Sequence, residues 1–432
     1  MESIYLFILI GLITLAFADL IVGVSNDAVN FLNSAIGSKV LSFKTLMIVA
    51  SIGVFVGCVF SSGMMEVARK GIFNPGEFMF NEIMIIFMAV MITDIFILDL
   101  FNSWGLPTST TVSIVFELLG ASVAMALIKI GIDSGSFSDL AIYINTSKAT
   151  QIIMGILLSV FIAFSVGAIV QWVSRVLLSY NYKNKSTWVG SVFGGIALTA
   201  ISYFILIKGI KGTSFAGESF DLIGGMTINN FLESNVISII IYSSIIWTLI
   251  SFLLVKLFKT DIYKVIIAVG TFALALAFAG NDLVNFIGVP IAAWQSYEAW
   301  VASGVAASEF SMQVLASKVP TPDFLLIIAG LVMVLTLWFS KKAKTVVKTE
   351  LDLSNQGEVK ERFNASVLSK LVVSIGSSIS SLVSKILPKS TRQAIDKRFE
   401  VPAIFTNKIS SEDKPSFDVI RASVNLMVAG IL

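Results

Sequence analysis

Histidine is absent from the 432 residues, and cysteine occurs once. Without His there is no imidazole metal ligand, no His general base and no His proton switch. Cys58 sits alone in an apolar run, so the chain has neither an internal disulfide nor a thiolate metal site. Charge is also scarce. Lys, Arg, Asp and Glu make up 13% of the chain, against about a quarter in an ordinary soluble domain. The 30 basic and 28 acidic residues leave a net charge of +2, which gives no basis for nucleic-acid binding.

What charge there is lies unevenly. Residues 341–416 hold 14 Lys and Arg and 8 Asp and Glu, more than a third of all the charges. The chain is 56% hydrophobic, and outside that segment it falls into long apolar runs. Such runs exclude a soluble or disordered protein and fit an all-α polytopic membrane protein, since 18 or more apolar residues reach across the hydrocarbon layer as a helix. The first run has Glu2 and no Lys or Arg ahead of it. It therefore reads as a first spanning helix rather than a signal with a basic start.

Hydropathy predicts ten membrane segments, near 4–24, 42–60, 83–101, 107–128, 149–172, 188–208, 235–257, 263–280, 324–340 and 417–432. Gly53-x-x-x-Gly57 and Gly190-x-x-x-Gly194 lie inside two of them, and small residues one turn apart allow close helix packing. Loop 173–187 carries Arg175, Lys183 and Lys185 without an acid, which predicts a cytoplasmic side for it. Within 341–416, apolar residues from Val367 to Leu387 recur at helical spacing up to Pro388. That pattern predicts an amphipathic helix at the membrane interface, without substrate contact.

Asn-Asp-x-Val-Asn-Phe occurs twice, starting at Asn26 and Asn281, each time at the end of an apolar run. One copy alone could be a helix cap. Two matched polar interruptions in matched apolar segments point instead to a secondary transporter built from repeats. Asn and Asp at membrane depth are costly unless they line a hydrated cavity or hold an ion. A helix broken at each motif would free backbone groups for a ligand. A second polar island, Gly105-Leu106-Pro107-Thr108-Ser109-Thr110-Thr111, opens the next apolar run. Three hydroxyls at a helix start, with free N–H groups behind them, can make an oxyanion site, although an ordinary cap accounts for them as well. Asp19, Asp94, Asp99 and Glu117 also fall within or beside apolar runs and are candidates by position.

These residues resemble the inorganic phosphate transporter (PiT) family. Its mark is a duplicated Gly-Ala-Asn-Asp-Val-Ala-Asn-type motif, each copy paired with a later Pro-x-Ser-Thr-Thr. Val24–Asn30 and Ala279–Asn285 match the first element twice, Ser34–Lys39 is similar to the Gly-Ser-Lys that follows the first copy, and Pro107–Thr111 matches the second element once. Val112 stands where the family commonly has His, and Phe116 and Glu117 stand where small residues are usual. No second Pro-x-Ser-Thr-Thr follows the second Asn-Asp. By analogy it would lie just past Leu432, so the chain is expected to be truncated.

The resemblance implies two inverted repeats with broken or re-entrant helices meeting at a midplane site. Residues 1–148 would form the first repeat, 149–260 connecting helices, and 261–432 an incomplete second repeat with 341–416 as a cytoplasmic insertion. It implies symport of inorganic phosphate with a cation and no cofactor, in a bacterial inner membrane, with a homodimer possible in this family. Asn26, Ser109, Thr110, Thr111 and Asn281 are the expected substrate-binding residues. Asp27, Asn30, Asp282 and Asn285 are the expected cation ligands. Two carboxylates and a phosphate with no Lys or Arg beside them would repel, so a cation must neutralise them. All-oxygen ligands and the absence of His favour Na⁺ over H⁺. A sulfate permease of the same family is the nearest alternative. A membrane-embedded enzyme is remote, because no nucleophile has a base beside it in the motifs.

Overall fold

A computed structural model describes residues 2–61, 71–182, 186–210, 214–316, 321–356, 364–401 and 414–432. Its main helices are α1 (Glu2–Ser38), α2 (Phe43–Val59), α3 (Phe80–Trp104), α4 (Thr110–Ile132), α5 (Thr146–Leu178), α6 (Thr187–Phe204), α7 (Val236–Leu257), α8 (Ile262–Ser303), α9 (Asp323–Phe339), α10 (Lys341–Leu353), α11 (Val367–Ile386) and α12 (Val419–Ile431). A two-residue hairpin, Ser219–Phe220 with Met226–Thr227, is the one sheet among the described residues. The protein is an all-α, multi-pass membrane protein. Each of the ten predicted segments coincides with a helix. Seven helices are long and apolar enough to cross a bilayer, and α9 with α10, bent by 65° at Ser340, makes an eighth if taken as one span. α2 and α12 are shorter apolar helices of 17 and 13 residues.

The helices sort by what surrounds them. α8 is buried along most of its length, and α1, α2, α3, α6 and α12 pack around it. α5 and α7 turn Leu157, Phe161, Phe164, Ile241 and Ile245 outward. A helix satisfies its own backbone, so in lipid its outer face can be apolar all along. The α2–α8 contact depends on small residues. A Cβ on Gly57 would stand 2.1 Å from the Leu276 carbonyl oxygen, and one on Gly53 2.6 Å from that of Phe272. The two backbones touch where lipid solvation could not drive them together, through packing alone.

The broken helices expected at the Asn-Asp motifs are not there. α1 and α8 run uninterrupted through Asn26 and Asn281, over 37 and 42 residues. Asn and Asp lower helix propensity by less than about 1 kcal/mol each, too little to open a helix whose hydrogen bonds lipid cannot replace. The break lies between α3 and α4. Gly105 ends α3 in the left-handed region at φ +66°, and Leu106–Thr108 run outside any helix. α4 starts at Thr110 with Ser109 as its cap, so Pro107 precedes the helix and is not in its first turn.

Two further expectations are revised. Arg175 is not a loop charge. It sits in the last turn of α5, 2% exposed, paired at 2.5 Å with Asp418, which caps α12. Lys183 and Lys185 lie outside the described residues. Segment 341–416 is also not peripheral throughout. α10 buries Ala343, Val346 and Val347 against α1, and Lys342 pairs with Asp99 of α3 at 2.5 Å. α11 is the amphipathic helix predicted up to Pro388, and its described side chains are exposed.

Gly57→Ala is expected to lower stability by about 1–3 kcal/mol, because the added methyl meets backbone that cannot retreat. Gly155→Ala, with nothing within 4 Å, should be neutral or slightly stabilising. Thermal unfolding of both variants in detergent checks this, and equal shifts would refute the close α2–α8 contact.

Candidate functional site

The first Asn-Asp copy faces the α3–α4 break. Asn26 is fully buried, and its amide reads the loop on both edges. Its Oδ1 accepts the Thr108 backbone N–H at 2.7 Å. Its Nδ2 donates to Asn102 Oδ1 at 2.8 Å and to the Leu106 carbonyl at 3.1 Å. Asn102 in turn donates to the Val22 carbonyl at 2.7 Å. A carboxamide offers both a donor and an acceptor edge, and here both hold a stretch of chain that no helix satisfies.

Asp27, one residue on, reaches the start of α4. Thr110 Oγ1 donates to Asp27 Oδ2 at 2.9 Å, and Asn30 Nδ2 approaches Asp27 Oδ1 at 3.5 Å. The second copy meets the same point. Asn285 Nδ2 donates to Thr111 Oγ1 at 3.0 Å and lies 3.4 Å from Thr110 Oγ1. Asp282 adjoins Asp27 directly, and Asn281 Nδ2 donates to Asp282 Oδ1 at 3.1 Å. The two motifs, 255 residues apart in sequence, therefore converge on Thr110 and Thr111. The described groups around the two carboxyls include Thr110, Asn30, Asn281, Asp94 and each other, none of them basic.

Of the nine expected site residues, Asn26, Asp27, Thr110, Thr111, Asp282 and Asn285 form this one cluster. Asn30 and Asn281 are attached to it through their neighbouring carboxyls and are themselves exposed. Ser109 stands apart. It is exposed, its Oγ accepts the Val112 N–H at 3.3 Å, and it lines an open groove between α3 and α4 together with Thr93, Ser113 and Glu117. Successive helical residues point about 100° apart, so three consecutive hydroxyls cannot share one face. Asn102 joins the site without having been marked by the sequence pattern. Its only signal there is an amide inside an apolar run.

The cluster offers two carboxylates, two hydroxyls, amide groups and the N-terminal end of a 23-residue helix. Carboxylate and hydroxyl oxygens suit a hard cation, while the free N–H groups and dipole of a helix start suit an anion. Among the described residues no group of three or more Asp, Glu or Cys side chains has the arrangement to hold a metal ion. That leaves a pair of carboxylates with neutral oxygens as the available cation ligands.

A family model described as the phosphate transporter family matches residues 23–385. An inferred phosphate permease of Thermococcus kodakarensis is 26% identical over 324 residues, covering 71% of this chain and 68% of its own. One of Pyrococcus furiosus is 25% identical over 363 residues, covering 83% and 80%. A solved structure named as the sodium-dependent phosphate transporter superposes with a TM-score of 0.54 at 18% identity, over 79% of this chain and 78% of that one. At that identity the likeness speaks for the fold.

Asn26→Ala is expected to cost about 1–3 kcal/mol, because it strands the buried partners of both amide edges. Asn281→Ala, whose amide bonds only the neighbouring Asp282, should cost less. Thermal unfolding of the two variants side by side tests this, and equal losses would show that Asn26 does not tether the loop.

Proposed function

The chain belongs to the phosphate transporter family, and on that footing we propose that it moves inorganic phosphate by symport with a cation, Na⁺ ahead of H⁺. The family is one of transporters, so the enzymatic alternative falls away. The observation that carries the proposal is the convergence of both Asn-Asp copies on Thr110 and Thr111 at the start of α4. In this reading Asp27 and Asp282 attract the cation, with Asn30 and Asn285 as neutral ligands. Asn281, Thr110, Thr111 and the α4 N-terminus face the anion, Ser109 contributes from the groove side, and Asn26, expected at the anion from the sequence, serves it by holding the loop before α4. α1 and α8 are the equivalent helices of two inverted repeats, drawn from 1–148 and 261–432, with 149–260 connecting them. The cell membrane is the barrier crossed. The adjoining carboxyls support cation coupling, because two of them beside a phosphate repel unless a positive charge lies between. The sodium-dependent transporter of like fold agrees with Na⁺ as that charge.

The test is uptake of radiolabelled phosphate by proteoliposomes under an inward Na⁺ gradient, with K⁺ as control and sulfate as competitor. Asp27→Asn and Asp282→Asn each remove a charge and keep the shape. Each is expected to lower accumulation at least about tenfold, which is about 1.4 kcal/mol of coupling, while equilibrium phosphate binding falls less and loses its dependence on Na⁺. By linkage, phosphate should equally cease to tighten Na⁺ binding. Unchanged Na⁺ dependence in both variants removes these residues from the cation site, and competition by sulfate at equal concentration makes sulfate the substrate.

A further inference from the structure

Three intramembrane acids are not among the ligands proposed above, although one of them, Asp94, neighbours Asp27. Asp19 lies on α1 eight residues before Asp27, about 12 Å back along the helix. Asp94 is on α3 and Glu117 on α4. Asp94 faces Asp19 on one side and Glu117 on the other. Asp19 and Asp94 are both 0% exposed. Ser113 Oγ donates to Glu117 Oε1 at 2.6 Å. Among the described residues, both oxygens of Asp19, both of Asp94 and Oε2 of Glu117 receive no well-formed hydrogen bond, and Ser113, the hydroxyl nearest Asp94, is committed to Glu117. An ionised carboxyl can only accept, so these are five buried acceptors that share one hydroxyl.

Among the described residues no positive charge resolves the conflict. The titratable groups that face the cluster are Asp27 on α1 and, beyond it, Asp282 on α8. The basic side chains on the packed helices are engaged or turned away. Lys129 of α4 pairs with Glu82, Lys342 of α10 with Asp99, and Arg421 of α12 donates to the Ser354 carbonyl. Lys341, Lys344 and Lys348 of α10 are exposed. The acids neighbour one another in turn from groove to α1, and no metal-holding group of three forms among the described residues. Two carboxyls in contact repel as anions, but a single proton between them converts that repulsion into a hydrogen bond.

Glu117 lines a groove between α3 and α4, of about 660 Å³, together with Ser113, Ser109 and Thr93. Glu117 is half-buried at the groove wall, with Asp94 and then Asp19 behind it. We propose that Glu117, Asp94 and Asp19 form a proton-binding relay that loads from the α3–α4 groove and ends on α1, beside the Asp27 site. The relay places a proton route on the transporter proposed above, but the proton binding itself does not rest on that reading.

The test is infrared difference spectroscopy of the purified protein in lipid nanodiscs, without phosphate. The wild type is expected to show the C=O band of protonated carboxyl, shifted on transfer to D₂O. That band should weaken in Glu117→Gln and lose its Glu117, Asp94 and Asp19 component in the triple variant with Asp19→Asn and Asp94→Asn. Asp27→Asn should leave this component in place. If the triple variant does not fold, Glu117→Gln at the half-buried position gives the answer alone. A band of unchanged intensity in a folded variant overturns the proposal. So does loss of the wild-type band on adding Na⁺ but not K⁺ at fixed pH, which would make the cluster a metal-cation site. Because phosphate is absent from the measurement, the outcome is separate from success or failure of the transport assay.

Discussion

The arrangement depends on one constraint: a chain that leaves the helix inside a membrane protein must find partners for its backbone groups. The segment between Gly105 and Ser109 is such a chain. Asn26 supplies the partners, through an acceptor for the Thr108 N–H and a donor for the Leu106 carbonyl. With the loop held there, α4 begins where its first two threonines meet Asp27 from one helix and Asn285 from another. Replacing a water-filled gap by side-chain amides fixes the position of a helix terminus to within hydrogen-bond tolerance. The two long helices that carry the Asn-Asp motifs therefore remain whole.

A good deal of this is legible in the sequence, for identifiable reasons. Long apolar runs mark spanning helices because length and hydropathy alone select them, and each expected segment meets a helix. The duplicated motif puts Asp27 and Asp282 in one site because costly polar residues, repeated at matched depth, are poorly accounted for by packing or capping. The helix breaks do not fall where the polar residues suggest, since polarity is not interruption. An α-helix keeps its own hydrogen bonds whatever its side chains carry, and three weak helix formers do not undo them. Asn102 is silent in the sequence because a lone amide has no pattern. Its significance appears only when α1 is laid against α3. The turning of Ser109 away from Thr110 follows from helical geometry and becomes visible once the first residue of α4 is known.

The α10 helix shows a different limit. Its Lys-rich sequence reads as solvent-exposed, and one face of it is. The other face buries Ala343, Val346 and Val347 on α1, while Ser340 Oγ meets Ser25 Oγ at 2.7 Å, one residue from Asn26. A Cβ on Gly105 would come within 2.8 Å of the Thr345 methyl. Charged composition in a short helix thus conceals a packed stripe, and that stripe lies over the loop that Asn26 holds. The far end of the same segment is held by Asp418, which takes Arg175 and Gln356 and caps α12.

The Thr110 hydroxyl carries one hydrogen. While that hydrogen points at Asp27 Oδ2 and the Asn285 amide approaches the oxygen from the other side, the group has nothing to give to a third partner. An arriving oxyanion can receive this hydrogen only after the rotor turns, and the rotor turns at no cost only when Asp27 has acquired another source of positive charge. Under the proposed symport, one rotatable bond would thereby set an order of events, the carboxylate satisfied first and the anion second.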